Sequence, residues 1–188
     1  MIRIKNGTVA KVAAAPLILV ASMLGSGCAE WDAAVNRELP SVDSRSQAEV
    51  EPPVDPSPVE EQTNVHRGEI GIPTLDASEK LRESACAKAD DMIVRDYWGH
   101  HAPDGSGDPF MFIREAGVDY YTAAENLFYS TSGGSDPVDS WMDSPGHRAN
   151  IVNPDFTRVG VCVRTAAYQG FPEAHLYVQH FATPISER

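Results

Sequence analysis

The chain is short of most of the features that would make its function easy to read. It has three cysteines, too few for a disulfide-dense small scaffold and without the paired spacing of a structural zinc site. Basic residues are outnumbered, with 15 Lys and Arg against 27 Asp and Glu and a formal charge of −12. A nucleic-acid partner wants a basic face, so that class is set aside. There is no H-E-x-x-H metalloprotease signature, no serine in a clear nucleophile setting and no internal repeat. The only long apolar run, Val12 to Gly25, is too short for a comfortable membrane span, which takes about 20 residues. Mean hydropathy is −0.29, as expected of a soluble domain, and 42% apolar residues suffice for a core.

That short run has a different use. Arg3, Lys5 and Lys11 precede it, and Gly25-Ser26-Gly27-Cys28 follow, the basic–apolar–small order of a secretory signal. Small residues ending at a cysteine resemble a bacterial lipoprotein signal, although Gly25 stands where leucine is usual. Residues 1–27 are accordingly expected to be a signal peptide and Cys28 the lipidated first residue of the mature chain. An ordinary cleavage nearby would instead leave a secreted protein with a free thiol at Cys28. With Cys28 lipidated, membrane attachment would come from several acyl chains rather than from a basic patch. Ala29 follows the cysteine, where aspartate marks inner-membrane retention in some bacteria, so an outer-membrane location is expected. Residues 28–62 are rich in proline and acid, hold little that could form a core, and are expected to be a disordered, extended tether.

From Thr63 the texture changes. Asn64 to Ile70 suits a short helix ended by Gly71 and Pro73. Leu81, Ala85, Ala89 and Met92 recur at helical spacing, with Asp76 and Glu79 as the expected capping box and the helix running to Tyr97-Trp98. Asp108-Pro109 and Asp136-Pro137 each open a further helix, and Ser144-Pro145 another. Val159, Val161 and Val163 alternate as in a strand, and Leu176, Val178 and His180 mark its partner across a loop at 166–173; Asn126 to Ser130 is another strand candidate. Helices first and strands last indicate an α+β fold, with helices over a small antiparallel sheet. Cys86 falls on a helix and Cys162 on a strand. Packed together in an oxidising compartment they can form a disulfide; the alternative is two buried free thiols.

Four segments mix aromatic, Gly/Pro and ionisable residues: 97–105, 124–127, 141–151 and 177–181. Two histidines and a glutamate on separate segments, His100, His147 and Glu125, are the donor types of a zinc or other divalent metal site, or of an acid–base pair. His147 falls in the first turn of a helix, whose dipole disfavours imidazolium and so favours the neutral form a metal requires. Structural uses are equally open: a backbone bond for His100, or a Glu125–Arg148 pair holding loops together. His101, His66 and His175 are expected to face solvent, and His180 either the site or the sheet.

Taken together, these segments resemble the bacterial branch of the CAP superfamily (cysteine-rich secretory protein, antigen 5 and pathogenesis-related 1; the SCP-like extracellular domain). Asn64 and Arg67 match its opening helix, Gly71 to Leu75 its turn, His100 and Asp104-Gly105 its histidine loop, and Phe110, Arg114 and Gly117 the helix after it. Glu125-Asn126-Leu127 match its E-N-I/L signature. Trp141, Ser144, Pro145, Gly146, His147, Arg148, Asn150 and Ile151 match its W-x-x-S-P-G-H-R-x-N-I block, and Gly160, Gln179 and Phe181 its closing strands. The resemblance implies an α/β/α sandwich over residues 63–188 with a small twisted antiparallel sheet between helices, and an open cleft lined by His100, Glu125 and His147. Three protein ligands and water would suit an open zinc position. The second glutamate of animal members is Ser144 here, with Asp143 beside it. Asn126, Ser144, Asp143, His101 and His180 are the remaining cleft candidates. CAP domains are associated with binding lipids, metals or proteins, so a binding module for a small-molecule, lipid or protein ligand of the envelope is the expected function. A His/Glu or metal-assisted hydrolase, and a structural envelope protein with a vestigial cleft, are the alternatives.

Overall fold

The computed structural model describes residues 54–132 and 136–187; the signal segment, Cys28 and most of the expected tether lie outside the described residues. The fold is α+β. Helix α1 spans Ser57–Glu69, strand β1 Asp76–Ala77, α2 Glu79–Val94, α3 Met111–Glu115, β2 Tyr120–Ser130, α4 Pro137–Asp143, α5 Pro145–Ile151, β3 Arg158–Tyr168 and β4 Phe171–Pro184. The sheet order is β1-β3-β4-β2. β4 pairs antiparallel with both neighbours, while the two-residue β1 joins β3 in parallel, an exception to the expected all-antiparallel sheet.

Strand alternation sorts the core into two faces. Val159, Val161, Val163, Phe181 and Ala124 turn to α1, α4 and α5, where Trp141, Val138 and Ile151 meet them. Cys162, Leu176, Val178 and Leu127 turn to α2, against Ala85, Ala89 and Met92. This two-sided layering is the sandwich that the sequence resemblance implies. On the α2 face Gly160 pairs with His180, and a Cβ there would come within 2.3 Å of the Arg82 backbone nitrogen and 2.4 Å of the Leu81 carbonyl carbon. The missing side chain is what lets α2 lie this close to the sheet. Cys86 and Cys162 form a disulfide that ties α2 to β3 across 76 residues of chain.

Several boundaries differ from those expected. α1 begins at Ser57, inside the stretch taken for tether up to residue 62, because Val59 and Thr63 are buried and Glu60 accepts two bonds from Arg82 and one from the Val161 amide. α2 is capped by Ser78, whose hydroxyl accepts from Leu81 N; Asp76 cannot cap, its backbone being committed to the β1–β3 ladder. The helix stops at Val94, before Asp96 turns the chain at φ 49°. α3 starts at Met111, since Asp108 caps an Asx turn at Phe110 N ahead of it. The β3–β4 hairpin is tighter than expected, turning at Gln169-Gly170.

Asn64 and Arg67 of α1 serve the fold. Asn64 brackets Leu75 through both its N–H and C=O, closing the 71–75 turn. Arg67 is fully buried and donates to the carbonyls of Pro73, Ile151, Asn153 and Phe156.

Candidate functional site

The site forms on β2, an edge strand. Consecutive residues of a strand point to opposite faces, so Glu125 enters the α2 layer and Asn126 the α4–α5 layer. Each holds one of the two histidine-bearing segments.

On the α2 side, the Glu125 carboxylate is 1% exposed and shared between two imidazoles. His100 Nδ1 lies 2.6 Å from Oε1 and His180 Nε2 3.0 Å from Oε2. Behind His180, its Nδ1 lies 2.7 Å from the Ser84 hydroxyl. The chain therefore runs Ser84–His180–Glu125–His100, from a fully buried ring to one whose side chain is 46% exposed. Burial pushes the Glu125 carboxyl up, but the bonds from His100 and His180 outweigh it and hold the group below its usual range. With Nδ1 of His100 committed to Glu125, its Nε2 has no protein partner among the described residues. A carboxylate fixing one ring nitrogen of a histidine and freeing the other is a common way to orient an imidazole for a ligand.

The His100 loop is held from beneath. Gly99 takes φ 148°, a backbone that L side chains rarely adopt. The buried Lys88 ammonium donates to the carbonyls of Gly99 (2.8 Å) and His100 (3.1 Å) and to the Tyr97 hydroxyl (3.0 Å). Burial lowers the Lys88 pKa, partly countered by the Glu125 charge. The Tyr97 hydroxyl in turn donates a hydrogen bond to the Asp91 carboxylate.

On the other face, Asn126 Nδ2 donates to the carbonyl of His147 and to Gln179, and its Oδ1 accepts from Asn150. Gln179 continues to Thr63 of α1. Asn150 also donates to the Glu125 carbonyl and the Trp141 indole to that of Leu127. The aromatic and amide residues of the W-x-x-S-P-G-H-R-x-N-I block thus close the free edge of β2 and set α5 against it, with His147 in the first turn as expected. The His147 pKa is lowered, by burial first and by the nearby His100 charge second, the direction that the helix dipole also favours. His147 is accordingly expected to titrate below an ordinary histidine in proton NMR. Below the ordinary value the unfolded chain takes up this proton before the folded one does, so His147 makes the domain less stable as pH falls through that range. A normal or raised His147 pKa would remove the neutral imidazole from the site.

The structure brings together His100, Glu125, Asn126 and His180 of the predicted cleft residues, with His147 alongside. His180 faces the site, not only the sheet. His101 is exposed, and neither it nor Asp143 nor Ser144 bonds to the His–Glu chain among the described residues. Arg148 is exposed and does not pair with Glu125. Ser84 and Lys88 escaped sequence reading. Yet Leu81, Ser84, Ala85, Lys88, Ala89 and Met92 are the buried positions of α2, at 3–4 spacing, and two polar residues in such a stripe are a visible signal.

A metal bound by His100, Glu125 and His147 together does not fit this arrangement. Both Glu125 oxygens are engaged, and among the described residues no group of three His, Cys, Asp or Glu side chains is placed to hold an ion.

Residues 60–181 match the family described as the cysteine-rich secretory protein family, CAP. The uncharacterized protein YkwD of Bacillus subtilis is 41% identical over 103 residues, 55% of this chain and 40% of that protein. The uncharacterized membrane protein YlbC of the same organism is 32% identical over 106 residues, 56% of this chain and 30% of that protein. The chain thus spans well under half the length of these curated relatives. Among solved structures, an extracellular protein of Bacillus anthracis containing an SCP domain is 27% identical with a TM-score of 0.57, over 67% of this chain and 39% of that one. An outer surface protein of Borrelia burgdorferi has a TM-score of 0.58 over 71% of this chain and 98% of that one; at 16% identity it shares the fold alone.

Proposed function

This chain belongs to the cysteine-rich secretory protein (CAP) family, and from that premise we propose that it is an exported binding module, tethered to the cell envelope through a lipid on Cys28, whose His100–His147 cleft receives an envelope or extracellular ligand. One observation carries the reading. A buried carboxylate, Glu125, is spent on orienting a half-exposed imidazole, His100, whose second nitrogen is left for something outside the fold. A merely structural histidine would have both nitrogens satisfied within the protein, as His180 does. The extracellular Bacillus anthracis protein that shares this domain favours export, as does the signal-like start of the sequence.

With Glu125 engaged, a divalent ion would have the two imidazoles as its protein ligands and Glu125 as the outer group orienting one of them. Zinc is therefore a direct probe of the cleft. Calorimetry on the full chain is expected to show zinc binding that disappears in the His100→Ala/His147→Ala double variant. Absence of binding in the unaltered chain would overturn the metal part of the reading and leave the cleft to organic ligands.

The 2.6 Å His100–Glu125 pair also has the form of a base and its orienting acid, which favours a hydrolase as the second reading. Ser84, the serine hydrogen-bonded to His180, is fully buried and is not a nucleophile for an external substrate. Turnover of ester, peptide or cell-wall substrates that is lost in His147→Ala would establish catalysis.

A further inference from the structure

We propose that the ligand of this cleft is a neutral glycan chain, with Trp98 as the platform on which one sugar ring stacks beside His100; this rests on the reading of the cleft as a ligand site. Trp98 lies two residues before His100 and is 40% exposed. The exposure is not that of a loose side chain. Tyr129 meets the indole at 4.9 Å between ring centres in a T-shaped contact, and Tyr168 backs Tyr129 at 6.0 Å. The backbone is held on both sides: the Tyr97 carbonyl accepts from the buried Tyr168 hydroxyl, and the Gly99 carbonyl from Lys88. An indole kept rigid and half in water offers an apolar surface at little cost in conformational entropy on binding.

The aromatic path continues from there. Tyr168 also lines an open groove of about 480 Å³ at the β3–β4 turn, with Ile93, Phe171 and the polar Asp96 and Gln169. Phe171 is exposed. An exposed aromatic ring beside amide and carboxylate groups suits sugar rings, which have apolar C–H faces and hydroxyl edges.

Other polymers fit less well. An extended peptide would add itself to the free edge of β2, but the carbonyls of Glu125 and Leu127 there are taken by Asn150 and Trp141. A polyanion is opposed by the acidic chain, at −12. A neutral saccharide meets neither obstacle.

The test uses the full chain carrying Trp31→Phe, so that Trp98 is the one indole able to report, Trp141 being buried. Chitotetraose and cellotetraose are titrated while tryptophan emission and heat are recorded, and zinc is titrated into the same protein. The expected result is saturable binding of at least one oligosaccharide with a shift in emission. Its Kd should rise at least about tenfold in Trp98→Ala and less in Trp98→Phe, which keeps a ring face, at unchanged Tm. Absence of binding by both sugars overturns the proposal, as does equal affinity in Trp98→Ala, or an unstructured acidic or neutral peptide library binding where the sugars do not. Zinc binding without glycan binding removes the glycan alone; glycan binding that is indifferent to His100→Ala/His147→Ala removes the His cleft as its site; absence of both removes the glycan and the metal together and leaves the binding-module reading to other organic ligands.

Discussion

Replacing Glu125 with alanine is expected to destabilise the domain by about 4 kcal/mol. The carboxylate is buried and accepts from two histidines, one of which, His180, has no solvent to turn to. Without Glu125, the His180 Nε2–H loses its acceptor inside the fold, and His100 loses the group that fixes its ring. Urea unfolding should show the stability loss, and NMR should show the His100 ring no longer held in a single orientation. Glu125→Gln, which keeps the volume and one acceptor oxygen, should cost less than alanine. The difference separates charge from packing. A pH series supplies an independent check. Because the folded Glu125 pKa lies below its ordinary value, its contribution is complete above the usual carboxylate range and is lost as pH falls through the lowered value. The alanine variant should lack this component of acid destabilisation. A change below about 1 kcal/mol on removing Glu125 would mean that the shared carboxylate does not organise the site.

Arg67→Met is expected to be similarly damaging, at about 4 kcal/mol, for a different reason. The four carbonyls that Arg67 gathers belong to the turn after α1 and to the segment from the end of α5 to the start of β3. Those of Ile151 and Phe156 are bonded to it in the buried interior, and a methionine leaves them without that donor. Methionine fills much of the space, so the loss reports hydrogen bonding more than a cavity. Since Ile151 ends α5, the helix that carries His147, the variant should also broaden the His147 resonances before the domain unfolds. Chemical denaturation gives the first effect and histidine-resolved NMR the second; a well-folded variant with an unaltered midpoint would contradict both.

These two residues show how legibility varied along the chain. Glu125 was visible as a candidate because it is the ionisable residue of one of the four mixed segments and stands first in the E-N-I/L signature. Its partners were not visible in full. His100 and His147 were found as isolated polar residues in aromatic, glycine-rich segments. That His180 joins Glu125 depends on the β2–β4 register, which pairs Glu125 with His180 across the sheet; a slip of one residue would have turned one of them to the other face. Arg67 was legible only through family resemblance, since a basic residue in the last turn of a helix is ordinarily a solvent-facing one. Its burial follows from the three segments that fold over it. Ser84 and Lys88 stand at core positions of α2, yet periodicity alone does not say whether a polar residue in such a stripe is an error in the boundary or a bonded group in the interior. The helix caps were misassigned for a similar reason: Asp76 and Ser78 are both good capping residues, and the choice between them was made by the strand that claims Asp76.

The sequence by itself determined the class of fold, the family, the faces of β3 and β4, and the segments that bear the chemistry, because these depend on local periodicity, turn residues and the order of short motifs. The tertiary structure decided that Cys86 and Cys162 are joined, that Glu125 is shared by His100 and His180, and that Asn126, Asn150 and Trp141 close the edge of the sheet. Those are contacts between residues far apart in the chain. They exist only once α2 and α5 are laid on opposite faces of one strand pair, at a separation that Gly160 permits on one side and Trp141 fills on the other.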